Sequence, residues 1–502
     1  MDILSSLMLG LATAVSPINL LMCTVGVLVG TLIGVLPGIG PIATIAMLLP
    51  LTFSLPPVGA LIMLAGIYYG AQYGGSTTAI LVNLPGEASS VVTTIDGHQM
   101  ALKGRAGPAL AMAAISSFLA GTVATVLIVV AGPSLASLAN HFGATEYFSL
   151  MVLGLVAATV LSSGAILKSL GMVIVGLLLG LVGTDVNTGA QRFTFGLPVL
   201  ADGLGFVPLA MGMFGVAEII NNLGKPVEQR SLLTEKISGL MPTLADFKAS
   251  TGAILRGTGL GSILGVLPGG GPTLASFSAY VMEKKLSDRN GTFGKGDIRG
   301  VAAPEAANNS AAQTSFIPML TLGLPSNATM ALMIGAMTIH GIAPGPQVMT
   351  QQPALFWGLI VSMWIGNLLL LVINLPLVGV WVKLLKVPYR LLFPAIVLFC
   401  VTGVYVINLS VEEVYMMAAF GLVGLALHRF GCDPVPLLLG FILGPMMEEN
   451  LRRALLLSAG DTSVFFTRPL SLAFLVVSVL LVLVSLLPAL TRKREQVFSD
   501  DD

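Results

Sequence analysis

The chain has 502 residues, 55% of them hydrophobic and 10% charged, with 24 basic side chains balancing 24 acidic ones. A soluble domain is about a quarter charged, so this chain cannot solvate a surface of its size, and its solvent is lipid. The zero balance gives no reason to expect a nucleic-acid partner, and Cys23, Cys400 and Cys432 are too widely spaced for a CxxC metal or disulfide pattern.

Residues 1–16 are apolar but lack the basic region of a cleaved signal peptide, so they are expected to be retained. The motif GVLPGIGP, Gly34 to Pro41, follows between two apolar arms. Apolar runs near 58–80, 108–131, 146–164, 165–183 and 203–223 then predict five spans. A basic stretch with Lys225, Arg230, Lys236, Lys248 and Arg256 is expected on the cytoplasmic side and divides the chain: 1–224 as a first membrane repeat, 225–256 as a linker, 257–502 as a second repeat. The motif returns as GVLPGGGP, Gly265 to Pro272, ahead of a second basic stretch with Lys284, Lys285, Arg289, Lys295 and Arg299. One crossing would put the two basic stretches on opposite faces; a hairpin that enters and returns keeps both in the cytoplasm. Runs near 306–325, 353–376, 391–408, 413–428, 434–447 and 470–489 predict the remaining spans.

The two Gly-Pro motifs stand 231 residues apart. Downstream of each lies a second similarity, GAQYGGSTTAILVNLPGE from Gly70 and AAQTSFIPMLTLGLPSN from Ala311, aligned with one residue gapped. Two motifs in the same order indicate a duplication. Five spans between the hairpins, an odd number, make the repeats inverted, with the first hairpin entering from outside. Lys103, Arg105, Lys168 and the tail Arg492, Lys493 and Arg494 then fall in the cytoplasm, while Arg192, Arg452 and Arg453 fall outside as exceptions to the positive-inside rule. The expected fold is all-α and integral to the membrane: about 11–12 transmembrane helices in two inverted-topology repeats, each with a re-entrant hairpin broken by Gly and Pro.

Broken segments at matching positions of inverted repeats point to a transporter's midplane site. Helix N-termini there present N–H groups to carboxylates, and Ser, Thr and Asn oxygens suit a hard cation. Candidate substrate-binding residues are Gly38, Ile39, Gly40, Ser76, Thr77, Thr78 and Asn83 in the first half. In the second half they are Gly269, Gly270, Gly271, Asn309, Gln313, Thr314, Ser315, Ser326 and Asn327, with Asn308 beside them. The competing reading for each is close helix packing, capping or interhelical hydrogen bonding without substrate contact. Glu87 and Glu305 are the ion-coupling candidates. His98, His141, His340 and His428 are assigned surface or interfacial positions, with His98 kept in view beside Asp96. No Walker A, HExxH or GxSxG sequence occurs, so no catalytic residue, no resident metal and no cofactor is expected.

The three stretches GVLPGIGP, YGGSTTAILVNLPGE with IDGHQMALKGRAGPAL, and GVLPGGGP resemble the large subunit of tripartite tricarboxylate transporters, the TctA family. The resemblance covers essentially the whole chain. It implies a multi-pass subunit of the bacterial inner membrane that imports citrate or related small carboxylates on an Na⁺ or H⁺ gradient. It implies as partners a small TctB-type membrane subunit and a periplasmic TctC-type solute-binding protein, besides the carboxylate and membrane lipid. A re-entrant-loop ion or anion channel is the alternative, because polar tips on Gly-rich segments also form filters. Ser326 stands where the first half has Gly86, so the halves are expected to contribute unequally.

Overall fold

The computed structural model describes residues 2–36, 40–139, 141–161, 165–185, 187–223, 239–269, 271–288, 290–384 and 389–485. The motif residues Gly38, Ile39 and Gly270 and residues 225–238 of the linker lie outside them. In the first half the main helices are α1 (Ile3–Ala14), α2 (Pro17–Val35), α3 (Pro41–Thr52), α4 (Pro57–Val82), α5 (Ala106–Ala139), α6 (Ala144–Leu161), α7 (Ile166–Gly180) and α8 (206–223). The second half has α9 (Leu244–Val266), α10 (Gly271–Ser287), α11 (Arg299–Thr314), α12 (Phe316–Leu322), α13 (Ala328–Ile339), α14 (Pro353–Asn374), α15 (Tyr389–Asn408), α16 (Val411–Arg429), α17 (Val435–Leu457) and α18 (Pro469–Ser485). Among the described residues, four helices are long and apolar enough to cross a membrane, and eight shorter apolar helices accompany them. The chain is therefore an all-α membrane protein, apart from the two-residue strands β1 (Gly183–Thr184) and β2 (Gln191–Arg192).

Proline begins α2, α3, α4, α14 and α17, where its missing N–H costs nothing and its φ is already helical. α9 starts at Leu244 behind a Thr243–Asp246 capping box, inside the stretch expected to be a linker. α17 runs on to Leu457, past the expected end of its span at 447, because its last turns trade lipid for ion pairs. α13 was not among the expected spans. It starts where Asn327 Oδ1 accepts the Met330 N–H at 3.0 Å, and it is buried along its first ten residues.

Two glycine faces set the architecture. A Cβ on Gly26, Gly30 or Gly34 of α2 would meet the carbonyl oxygens of Met63, Ile67 or Ala71 of α4 at 2.3–2.5 Å. A Cβ on Gly257, Gly261 or Gly265 of α9 would meet those of Ala303, Ala307 or Ala311 of α11 at 2.2–2.4 Å. Lipid offers no hydrophobic gain for bringing helices together, so such backbone-to-backbone approach is what holds them. The glycines recur at the 231-residue offset, while their partners recur at 240 residues. Ala71 therefore pairs with Ala311, and the one-residue gap drawn from sequence alone is not needed. Asn83 and Gly323, the left-handed caps ending α4 and α12, obey the same 240-residue offset at φ 57° and 71°.

Past these caps the halves exchange partners. The Leu-Pro turn at 84–86 leads the chain onto α10, and the turn at 324–326 leads into α13, which packs on α3. At one end Arg105 pairs with Asp246 at 2.8 Å, Lys103 Nζ donates to Lys295 O, and Arg256 pairs with Glu283 at 2.7 Å. Both ends of the α9–α10 unit therefore lie together beside the 103–105 loop. Arg192, Arg452 and Arg453, the exceptions to the charge rule, are each paired with acids: Glu448 for Arg192, Asp185 and Glu448 for Arg452, and Glu449 for Arg453. Hydrogen bonding from Arg452 holds the Asp185 carboxyl down to about 2, so the pair is fully ionised at neutral pH.

Replacing Gly261 by Val should loosen the α9–α11 contact and cost about 1–3 kcal/mol, read as earlier heat unfolding in detergent. Gly259→Ala, mid-helix on a face with nothing within 4 Å, should not lower stability and should raise it by up to about 1 kcal/mol through helix propensity.

Candidate functional site

A cavity of about 610 Å³ opens where the broken segments of both halves meet. Gly40 to Ala43 at the start of α3, Pro272 and Thr273 at the start of α10, Asn327 to Thr329 at the start of α13 and Pro434 and Val435 at the start of α17 all line it. Four helices thus begin at one space, with the positive ends of their dipoles beside it. Tyr68 and Gln72 of α4, the 85–89 turn, and Glu218 and Asn221 of α8 complete the wall with His428 and Asp433.

The breaks are held open by reciprocal hydrogen bonds. Gly269, at φ 76°, donates its N–H to Ser326 O at 2.7 Å. Ser315 Oγ donates to Gly265 O at 3.2 Å, and Thr78 Oγ1 to Val35 O at 2.9 Å, so each hydroxyl takes up a carbonyl at or beside the end of α9 or α2. Asn327 Nδ2 donates to Tyr68 Oη at 3.2 Å and Ser315 Oγ at 3.1 Å, which fixes the α13 cap against α4. Gly86 and Ser326 differ for a steric reason: a Cβ at Gly86 would lie 2.0 Å from Gly34 O, whereas Ser326 has room for its side chain and buries it without a hydrogen-bond partner.

The candidates drawn from the sequence fall into three groups. Gly40, Glu87 and Asn327 line the cavity, with Gly269 and Gly271 in the turn that enters α10. Ser76, Thr77 and Glu305 line a small separate pocket, and Asn309 borders it by donating to Ser117 Oγ at 2.6 Å. Thr78, Asn83, Thr314, Ser315 and Ser326 act on the backbone, and Gln313 is buried with neither amide atom hydrogen-bonded. His428 is exposed, as its assignment to a surface or interfacial position expects, and it also lines the cavity, with its Nε2 3.1 Å from Asn221 Nδ2. That wall could have been suspected from the Asn pair ending α8 and the Pro-containing break before α17. Asp96 and His98 lie elsewhere. His98 Nδ1 donates to Ile80 O, and the fully buried Asp96 carboxylate accepts the N–H groups of Gly294, Gly296 and Asp297 and the hydroxyl of Tyr280, clamping the 290–298 loop.

Among the described residues no Lys or Arg lines the cavity; its ionisable side chains are Glu87, Glu218, Asp433 and His428. An anion there would be met by helix N-termini, side-chain amides, the hydroxyls of Tyr68, Ser89, Thr273 and Thr329, and the His428 ring.

A family model described as the tripartite tricarboxylate transporter TctA family matches residues 20–439. The chain belongs to that family. It is therefore a membrane protein of a transporter family. It is 58% identical over 502 residues, the whole of both chains, to the "Uncharacterized 52.8 kDa protein in TAR-I ttuC' 3'region" of Agrobacterium vitis. It is 57% identical over 242 residues, 48% of this chain and all of the other, to the "Uncharacterized protein in TAR-II ttuC' 3'region" of the same organism. No solved structure matches.

Asp96→Asn removes the charge from the clamp, a loss of about 1.5–3 kcal/mol for hydrogen bonds to an ionised acceptor. Trypsin should then cut after Lys295 several-fold faster than in the unaltered chain, as followed by gel or mass spectrometry.

Proposed function

We propose that the chain is the translocating large subunit of a tripartite importer of tricarboxylates or related small carboxylates, driven by an Na⁺ or H⁺ gradient across the bacterial inner membrane. The convergence of four helix N-termini from both halves on one cavity supports this reading above all. A volume of about 610 Å³ suits a small organic anion. In this reading α2–α3 and α9–α10 are re-entrant hairpins of two inverted repeats, and the pairing of Arg105 with Asp246 beside Lys103 and Lys295 supports entry and return at one face. A TctC-type periplasmic receptor delivers the substrate, and a TctB-type membrane subunit completes the assembly.

The cavity's acidic lining bears on coupling. A carboxylate entering beside Glu87 meets like charge wherever that side chain is ionised, and a co-bound cation or proton removes the repulsion. Symport then follows from electrostatics rather than from a separate machine.

The complex of all three subunits, reconstituted in vesicles with the receptor added outside, should accumulate labelled citrate or a related carboxylate saturably and against its gradient. Unsaturable flux that merely equilibrates would replace this reading with a channel. Gly40→Val should lower uptake about tenfold or more with unchanged membrane abundance, because a Cβ at Gly40 meets nothing within 4 Å and points its bulk into free space at the mouth of α3.

A further inference from the structure

One turn along α4 from Gln72, which lines the cavity, Ser76 lines a second and much smaller pocket of about 10 Å³. Its centre is Glu305 of α11, 1% exposed. The Glu305 carboxylate accepts from Ser76 Oγ at 2.7 and 2.8 Å, from Thr93 Oγ1 at 2.5 Å and from Ser117 Oγ at 3.3 Å. These groups come from four separate segments spanning both halves of the chain. Among the described residues Glu305 forms no ion pair with Lys, Arg or His. Two further oxygens are poised and unused. The Tyr73 hydroxyl, on a residue 4% exposed, lines the pocket with no hydrogen-bond partner. Asn309, 1% exposed, donates its amide to Ser117 Oγ and Glu305 O but leaves Oδ1 without a partner.

We propose that this pocket binds one dehydrated monovalent cation of the size of Na⁺, held by the Glu305 carboxylate and the hydroxyl oxygens of Ser76, Thr93 and Ser117. An unpaired carboxylate sealed from water is costly, and one positive charge cancels it, whereas a divalent ion would leave an excess charge in the same medium. The oxygen-only donor set suits a hard cation, and hydroxyls serve either role, donating to the bare carboxylate or turning lone pairs to the ion. Room for one water-sized particle admits the ion without its hydration shell.

The pocket also communicates with the cavity. Ser76 Oγ reaches Gln72 O at 3.0 Å, Gln72 Oε1 accepts from Ser89 Oγ at 2.9 Å, and the Ser89 hydroxyl also donates to the Glu87 carboxylate. Gln72, Glu87 and Ser89 all line the cavity, so reorganising Ser76 around a cation is felt where the carboxylate would sit. This coupling rests on the importer reading; the cation site does not.

The test uses the full-length chain purified in nanodiscs, with heat unfolding followed at constant ionic strength as NaCl replaces choline chloride at pH 8. Na⁺ should raise the midpoint saturably, and ²²Na⁺ binding should approach one ion per chain. Glu305→Gln should abolish both effects, while Thr93→Val and Tyr73→Phe should weaken Na⁺ binding severalfold and serve if the Gln variant fails to fold. The exposed Glu412→Gln should keep them. Absence of any Na⁺ effect, its persistence in Glu305→Gln, or equal stabilisation by choline at pH 5 would overturn the proposal. Uptake that is concentrative yet indifferent to Na⁺ would remove the coupling role alone, whereas Na⁺ binding without uptake by the full complex would count against the importer.

Discussion

A helix that stops inside an apolar medium must hand its terminal carbonyls and amides to something other than water. This constraint governs the molecule. Ser315 Oγ takes up Gly265 O at the end of α9, Thr78 Oγ1 takes up Val35 O at the end of α2, and Ser326 O receives the Gly269 N–H. Each partner is supplied by a segment that follows the break by some 40–60 residues in the chain, so the α2–α4 and α9–α11 pairs must form for the breaks to exist at all. The starts of α3, α10, α13 and α17 line the cavity, where Asn327 and Asp433 cap the first amides of α13 and α17.

Close helix approach makes the exchange possible. The glycine faces of α2 and α9 bring backbones together over three successive turns, and α11 answers with alanines, being buried over its whole length despite its Glu, Asn, Gln and Ser side chains. Polarity in such a helix is tolerable because it is organised: Glu305 collects three hydroxyls, and Asn309 bonds Ser117. The two halves share the frame and differ in filling. Gly86 is compelled by contact with Gly34 O, whereas Ser326 has space. The Glu87–Asn327 pair, equivalent by offset, places a charge on one side of the cavity and an amide on the other.

Charge is arranged by the same economy. At the ends of the helices arginines meet aspartates and glutamates, as in Arg192–Glu448–Arg452–Asp185. In the small pocket Glu305 has no basic partner among the described residues and is held instead by the hydroxyls of Ser76, Thr93 and Ser117.

Spans and breaks were readable in one dimension, because a run of about twenty apolar residues and a repeated Gly-Pro motif are local properties. α4, α5, α14 and α16 accordingly lie close to where hydropathy put them. Glu305 and Ser76 were also visible as polar groups out of place. Their meeting was not, since a separation of 229 residues is closed only by packing. The same holds for the ungapped 240-residue correspondence, legible in which carbonyl each glycine touches and hidden by the chance match of GAQ with AAQ. α13 escaped notice because twelve residues are too few to register as a span, and the place of His428 in the cavity wall because its contact with Asn221 exists only once α8 is laid beside it. Local chemistry decides where a helix can form and stop; which stopped ends face one another depends on contacts between distant segments, and only the packed chain contains those.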